Sequence, residues 1–167
     1  MYLDGKRYRL SNLAGFLACS GLMAYAYYAQ FVLGLEPCPL CIFQRVAMIA
    51  LGLVFLAAAL QGARGVGRKV YGGLVLLAAG SGVGIAARHV WLQNLPPDLV
   101  PSCGPGLDYM LDVFPLGEAL KMAFTGSGEC AEVDWTLLGL SMPTWTLLAF
   151  AGLGLAGLLV NFSRSSR

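Results

Sequence analysis

The sequence predicts an all-α integral membrane protein: a four-helix bundle with a long outer loop containing a short interfacial helix, the whole chain 1–167 forming one membrane domain. Three observations carry this. Hydrophobic residues make up 57% of the chain and charged residues 12%, against roughly 45–50% and about 25% in soluble domains. Four apolar windows are long enough to cross a hydrocarbon core of ~30 Å, which takes ~20 helical residues. Eight of the eleven basic residues also fall in three short clusters beside those windows, Lys6/Arg7/Arg9, Arg64/Arg68/Lys69 and Arg164/Arg167.

The expected spans are 13–35, 42–60, 70–87 and 144–162. Each is read as a helix because a segment in lipid must satisfy its own backbone hydrogen bonds, and the alternating polar residues of a closed barrel are missing. The clusters lie at the N-terminus, between spans two and three, and at the C-terminus. The positive-inside rule then puts both termini in the cytoplasm and leaves 36–41 and 88–143 outside. Trp91, Trp135 and Trp145 fall near that outer interface, where aromatic residues anchor. A cleaved leader is a poorer reading of the N-terminus, because the apolar run continues past the small-residue pattern Ala24-Tyr25-Ala26. With the charge spread over short stretches and no basic face, nucleic acid is not an expected partner; membrane lipid is.

Small residues suggest close helix contacts, with Gly80 and Gly84 forming a G-x-x-x-G pair and Gly152, Gly154 and Gly157 spaced along the last span. In the outer segment, the stretch 94–106 holds Pro96, Pro97, Pro101 and Pro105 and reads as an extended loop. Leu116, Leu120, Ala123 and Phe124 then form one apolar stripe opposite Glu118 and Lys121, predicting a short helix from Pro115 that lies flat on the membrane. The run from Thr125 to Cys130 reads as a flexible turn.

Of five cysteines, Cys38, Cys41, Cys103 and Cys130 are on the predicted outer side, and only Cys19 is within a span, where it reads as a small apolar residue. In an oxidising outer compartment four cysteines read as two pairs. The two-residue spacing favours Cys38 with Cys41, leaving Cys103 with Cys130. The first pair opens a helix, where free N–H groups and the dipole favour a thiolate. Arg45, one turn past Cys41, adds a permanent cation, either as an arginine reaching the headgroups or as a group acting on the sulfur and on a polar cofactor headgroup. The second pair is open between two roles. A structural disulfide would be worth about 3.5 kcal/mol by loop closure, while its Gly, Pro and Ser surroundings suit accessible exchange. Zinc held by four cysteines fits less well, since only one close pair exists, and no metal site is expected. His89, the one histidine, stands at the level of Arg45, so both can line one pocket between helix ends.

These residues, in this order, resemble the bacterial disulfide bond formation protein B (DsbB) family of quinone-dependent thiol oxidases over essentially the whole chain. The parts that carry the resemblance are Cys38-Pro39-Leu40-Cys41 followed by Ile42-Phe43-Gln44-Arg45, then Arg88-His89, Cys103 in a Pro-rich loop, and Gly128-Glu129-Cys130 leading to Trp135 and Pro143. The resemblance implies a protein-disulfide oxidoreductase in the bacterial inner membrane, with both cysteine pairs periplasmic. Its partner would be a periplasmic thioredoxin-like oxidase (DsbA-type), and its electron acceptor the quinone pool, ubiquinone or menaquinone. Cys103 would be attacked by the reduced partner in a mixed disulfide that Cys130 helps resolve. Cys130 would exchange with Cys38, and Cys41, beside Arg45, would donate to the quinone, with His89 and Gln44 near its pocket. Gln44 stands where an acidic residue is expected, and Pro39 stiffens the dipeptide between the cysteines.

Vitamin K epoxide reductase-like enzymes also combine membrane helices, cysteine pairs and quinones, but there the loop cysteines precede the membrane pair. A structural protein with four spans and braced outer loops leaves Arg45 at a helix head unexplained. A metal carrier finds little support in a single histidine without intramembrane acids.

Overall fold

The computed structural model describes residues 2–100, 112, 115, 117, 118, 126, 128–133 and 135–165. Cys103, and Leu116, Leu120, Lys121, Ala123 and Phe124 of the expected interfacial helix, lie outside the described residues. Glu118 N–H donates to Pro115 O at 2.9 Å, one helical turn at the expected start of that helix.

Four long helices are described, α1 (Gly5–Phe31), α2 (Pro39–Gln61), α3 (Val66–Gln93) and α4 (Met142–Asn161). They pack in chain order, α1 on α2, α2 on α3 and α3 on α4, with α4 returning to α1. Among the described residues α2, α3 and α4 are long and apolar enough to cross a membrane. α1, with 27 residues, is long enough but more polar, because Lys6, Arg7, Arg9, Ser11 and Asn12 occupy its first turns.

Three helix boundaries differ from expectation for local reasons. α1 starts at Gly5, where the Asp4 side chain accepts from Gly5 N–H at 2.6 Å, and its helical run stops at Phe31, before Gly34 turns the chain with φ +69°. α3 runs to Gln93 because nothing breaks it before Pro96. Arg88 and His89 therefore stand on a helix rather than in the outer loop.

Buried positions on α3 recur as Arg68, Gly72, Val75, Ala79, Gly82, Ala86 and His89, and on α4 as Phe150, Gly154, Gly157 and Asn161. These alternating steps of three and four keep one seam of each helix inward, as in left-handed bundles. The seam closes on a core of Cys19, Met48, Leu51, Phe55, Val75, Ala79 and Phe150. Leu53, Leu76, Leu77, Leu155 and Leu159 face outward and exposed, so the helices are apolar on both faces, as lipid requires.

The close contacts are made by other glycines than the G-x-x-x-G pair suggests. A Cβ on Gly80, Gly84 or Gly152 meets nothing within 4 Å, whereas one on Gly82 would collide with the Phe150 ring, and one on Gly157 would stand 2.8 Å from both Phe55 and Val75. The motif records spacing, not face, and the seam passes through Gly82. Thermal unfolding in detergent should show Gly82→Ala destabilised by about 1–3 kcal/mol. Gly80→Ala should be neutral or stabilised by up to about 1 kcal/mol through helix propensity.

One end of the bundle is tied by buried polar groups. Tyr8 O–H donates to Asn161 Oδ1 at 2.8 Å, Asn161 Nδ2 to Asn12 Oδ1 at 3.2 Å, and Arg68 lies 4.3 Å over the Tyr8 ring. Strand β1 (Tyr2–Leu3) pairs in parallel with β4 (Arg164–Ser165), bringing the two chain ends together here. A hairpin of β2 (Thr136–Leu137) and β3 (Leu140–Ser141) turns through Leu138 and Gly139, both at positive φ, and leads into α4 at the opposite end. Among the described residues no buried side-chain nitrogen or oxygen lacks a hydrogen bond.

Candidate active site

At that opposite end the head of α2 places the first cysteine pair. Cys38 is the N-cap residue with extended backbone (φ −65°, ψ 164°), and Pro39 takes the first helical position, where its fixed φ suits the helix and its missing N–H costs nothing. Pro39 thus starts the helix as well as stiffening the pair. Cys41 falls in the first turn, and its Sγ lies 3.2 Å from Cys38 Sγ, well beyond the ~2.05 Å of a disulfide. Cys19, Cys38 and Cys41 are free thiols.

His89, from the last turns of α3, points its Nε2 to 3.8 Å from Cys38 Sγ. Its Nδ1 meets Gln44 Nε2 at 3.0 Å, and both side chains are buried. The histidine is thus held from behind by α2 and aimed at a sulfur of α2, a more direct relation to the cysteines than shared height predicts. Gln44, noted in the sequence for not being acidic, is the group that orients it.

Cys130 is not on an accessible flexible end. It closes a single 3-10 turn (Gly128–Cys130), is fully buried, and packs with Leu40 and Leu92. The donor atoms of Cys38, His89 and Cys130 all lie within 4.8 Å of one another. Gly126 explains the difference from expectation. It has φ +89°, and a Cβ there would collide with Leu92, so the glycine that reads as flexibility permits close docking of the turn onto α3.

Arg45 reaches across to α1, donating through Nη1 to Gln30 Oε1 and through Nη2 to Ala26 O at 3.2 Å, with its Cζ 5.3 Å from the Tyr27 ring centre. Sequence reasoning missed Gln30; a lone amide late in an apolar helix was the available signal. It also missed Gln93, whose side chain donates to Glu132 O at 3.3 Å and accepts from Ser141 at 2.7 Å, tying the segment before α4 to α3.

Arg45, Cys41, Gln44 and His89 border one cavity of about 1090 Å³ between the helix heads, walled largely by apolar groups such as Leu22, Met48 and Leu148. Trp135 and Trp145 form part of its rim. An apolar cleft with a few convergent polar groups suits a flat, largely apolar small molecule.

Residues 8–160 match the model of the family described as disulfide bond formation protein DsbB. The protein named disulfide bond formation protein B of Xanthomonas campestris pv. campestris (strain 8004) is 53% identical over 156 residues, 93% of this chain and 91% of its own. The proteins of the same name from Hahella chejuensis and Nitrosococcus oceani are each 57% identical, over 137 residues (82% of this chain, 83% of that one) and 144 residues (86% and 85%) respectively.

Proposed function

The chain belongs to the disulfide bond formation protein DsbB family, and from that premise we propose that it is a membrane protein-disulfide oxidoreductase. On this reading it reoxidises a periplasmic thioredoxin-like dithiol oxidase of the DsbA type and passes the electrons to quinone. One observation supports it most: Cys38 Sγ stands between two other thiols, 3.2 Å from Cys41 and within 4.8 Å of Cys130. A sulfur so placed can exchange partners without rearrangement of the helices.

The relay balances as four exchanges. The partner's thiolate attacks Cys103 of a Cys103–Cys130 disulfide, and Cys130 leaves as thiolate. Cys130 attacks Cys38 of the Cys38–Cys41 disulfide, forming Cys38–Cys130 and freeing Cys41. The partner's second thiol then takes back its disulfide from Cys103. Cys103 attacks Cys130, restores the outer bond and leaves Cys38 and Cys41 reduced by two electrons. His89 Nε2, beside Cys38, is placed to accept the Cys38 thiol proton or return it to the leaving sulfur.

The cavity fits a quinone, because Arg45, His89 and Cys41 border a cleft with apolar walls. A quinone bound there supplies a two-electron, two-proton acceptor. Arg45, anchored to α1 by Gln30 and Ala26, lines the same cavity as Cys41 and would present a cation to a polar headgroup. The reading orients the bundle with the tied chain ends in the cytoplasm and the cysteines at the periplasmic face of a bacterial inner membrane.

Trapping tests this reading. In the oxidised parent protein, mixing with a thioredoxin-like protein that keeps only its attacking cysteine and acid quenching should accumulate the partner–Cys103 mixed disulfide together with a Cys38–Cys130 disulfide and a free Cys41 thiol by peptide mapping. Cys38 still paired with Cys41 beside a free Cys130 thiol would contradict the relay. Arg45→Ala should raise the apparent KM for quinone by about tenfold or more, the loss of roughly one charge-assisted contact, with the KM for the dithiol partner changed less than twofold. Equal loss of both would argue against a quinone-side role.

A further inference from the structure

We propose that the reduced protein binds one Zn2+ between Cys38 Sγ, Cys130 Sγ and His89 Nε2, and that this metal arrests the relay. The three donors come from three separate elements, the head of α2, the last turns of α3 and the Gly128–Cys130 turn, yet lie within 4.8 Å of one another, with His89 and Cys130 buried and Cys38 half-buried. Tetrahedral zinc with Zn–S of about 2.3 Å and Zn–N of about 2.0–2.1 Å sets S···N near about 3.6 Å and S···S near about 3.8 Å. The Cys38 Sγ to His89 Nε2 separation is 3.8 Å, a few tenths of an ångström from that geometry, and the pairs with Cys130 Sγ, within 4.8 Å, close by at most about 1 Å.

A second feature points the same way. Metal-binding histidines have their other ring nitrogen held by a hydrogen bond, and Gln44 meets His89 Nδ1 at 3.0 Å. The amide can present either end; with its oxygen toward Nδ1–H, Nε2 faces the sulfurs with a bare lone pair. Two thiolates and a neutral imidazole also cancel the ion's charge, which matters in a buried setting. The fourth position stays open, as in three-ligand zinc sites, with Cys41 Sγ 3.2 Å from Cys38 Sγ beside it.

Binding changes no oxidation state. Two thiols lose two protons to solvent and two S–Zn bonds form. The site therefore exists only while Cys38 and Cys130 are both reduced, and either disulfide of Cys38 removes it. Metal on Cys38 in turn blocks its exchange with Cys130 and its closure onto Cys41. The consequence is a zinc-sensitive stop on enzyme left reduced when no electron acceptor is present.

The test is anaerobic titration of the full-length protein in detergent with ZnCl2 against a chromophoric chelator, after reduction by a phosphine and its removal. Reduced protein should bind one Zn2+ per chain, and protein oxidised with quinone or diamide should bind none at the same chelator concentration. Cys130→Ser should weaken binding by about a hundredfold and Gln44→Leu by about tenfold. Cys19→Ser and Cys103→Ser should stay within about twofold. Co2+ in place of Zn2+ should show thiolate charge-transfer bands and the d–d intensity of a tetrahedral site, both reduced in Cys130→Ser. Zinc-loaded reduced protein should lose quinone reduction and regain it with EDTA.

Binding that ignores redox state, that survives Cys130→Ser and His89→Ala together, or that is lost in Cys103→Ser alone would overturn the assignment. The zinc count involves no quinone. Absent turnover in metal-free protein would thus count against the oxidase reading and leave the metal site standing.

Discussion

Cys41→Ser is expected to reduce quinone at least about a thousandfold more slowly than the parent protein, the scale of loss when a reaction's nucleophile is removed. The loss should fall on one half of the reaction. Cys38 keeps its place as N-cap of α2, with His89 Nε2 at 3.8 Å and Cys130 close by. With no Cys38–Cys41 disulfide to reoxidise the outer pair, exchange at Cys103–Cys130 proceeds once and stops, oxidising a single equivalent of dithiol. A serine hydroxyl in the first turn preserves the volume of the thiol closely, so thermal stability should change by less than about 1 kcal/mol. Single-turnover kinetics with quinone absorbance and dithiol loss read in parallel distinguish this pattern; normal steady-state turnover would sink the mechanism.

Gly126→Ala is expected to slow the relay by about a hundredfold although residue 126 carries no chemistry. Its backbone sits at φ +89°, where a side chain is strained, and its Cβ would enter the space of Leu92. Relief requires the turn to lift from α3, and that turn carries Cys130, which packs on Leu40 and Leu92. A displacement of about 1 Å between reacting groups costs on the order of a hundredfold in rate. Quenched-flow formation of the Cys38–Cys130 bond should slow in step with turnover, while reduction of quinone by a small dithiol acting directly on Cys38–Cys41 should not. If both slow equally, the glycine acts through the bundle and not through the turn.

These expectations show which features a sequence carries openly. The bundle was legible because lipid demands ~20 apolar residues per helix, a signal spread over many positions and insensitive to any one. The Cys38–Cys41 pair was legible because two-residue spacing at a proline-started helix is local. Contacts between elements were less so. G-x-x-x-G at Gly80 and Gly84 states a distance along α3 but not the face turned inward, and the seam runs through Gly82.

The Gly-rich approach to Cys130 looks mobile by composition, since the same residue supplies flexibility in one setting and a tight fit in another. Arg45 was placed near Cys41 by helix periodicity, but its anchors, Gln30 and Ala26, lie on α1. His89 was matched to Arg45 by depth, which is a one-dimensional coordinate. Its contacts with Gln44 and Cys38 depend on the rotation of α3 about its own axis, which depth leaves free.

On the proposed relay, electrons arriving at the outer thiols leave through Cys41 to quinone. The most direct test is an anaerobic stoichiometry on the full-length protein in detergent, with limiting reduced thioredoxin-like partner and excess ubiquinone or menaquinone. One quinone should be reduced for each partner disulfide formed. Partner oxidation that proceeds without matching loss of quinone would contradict it.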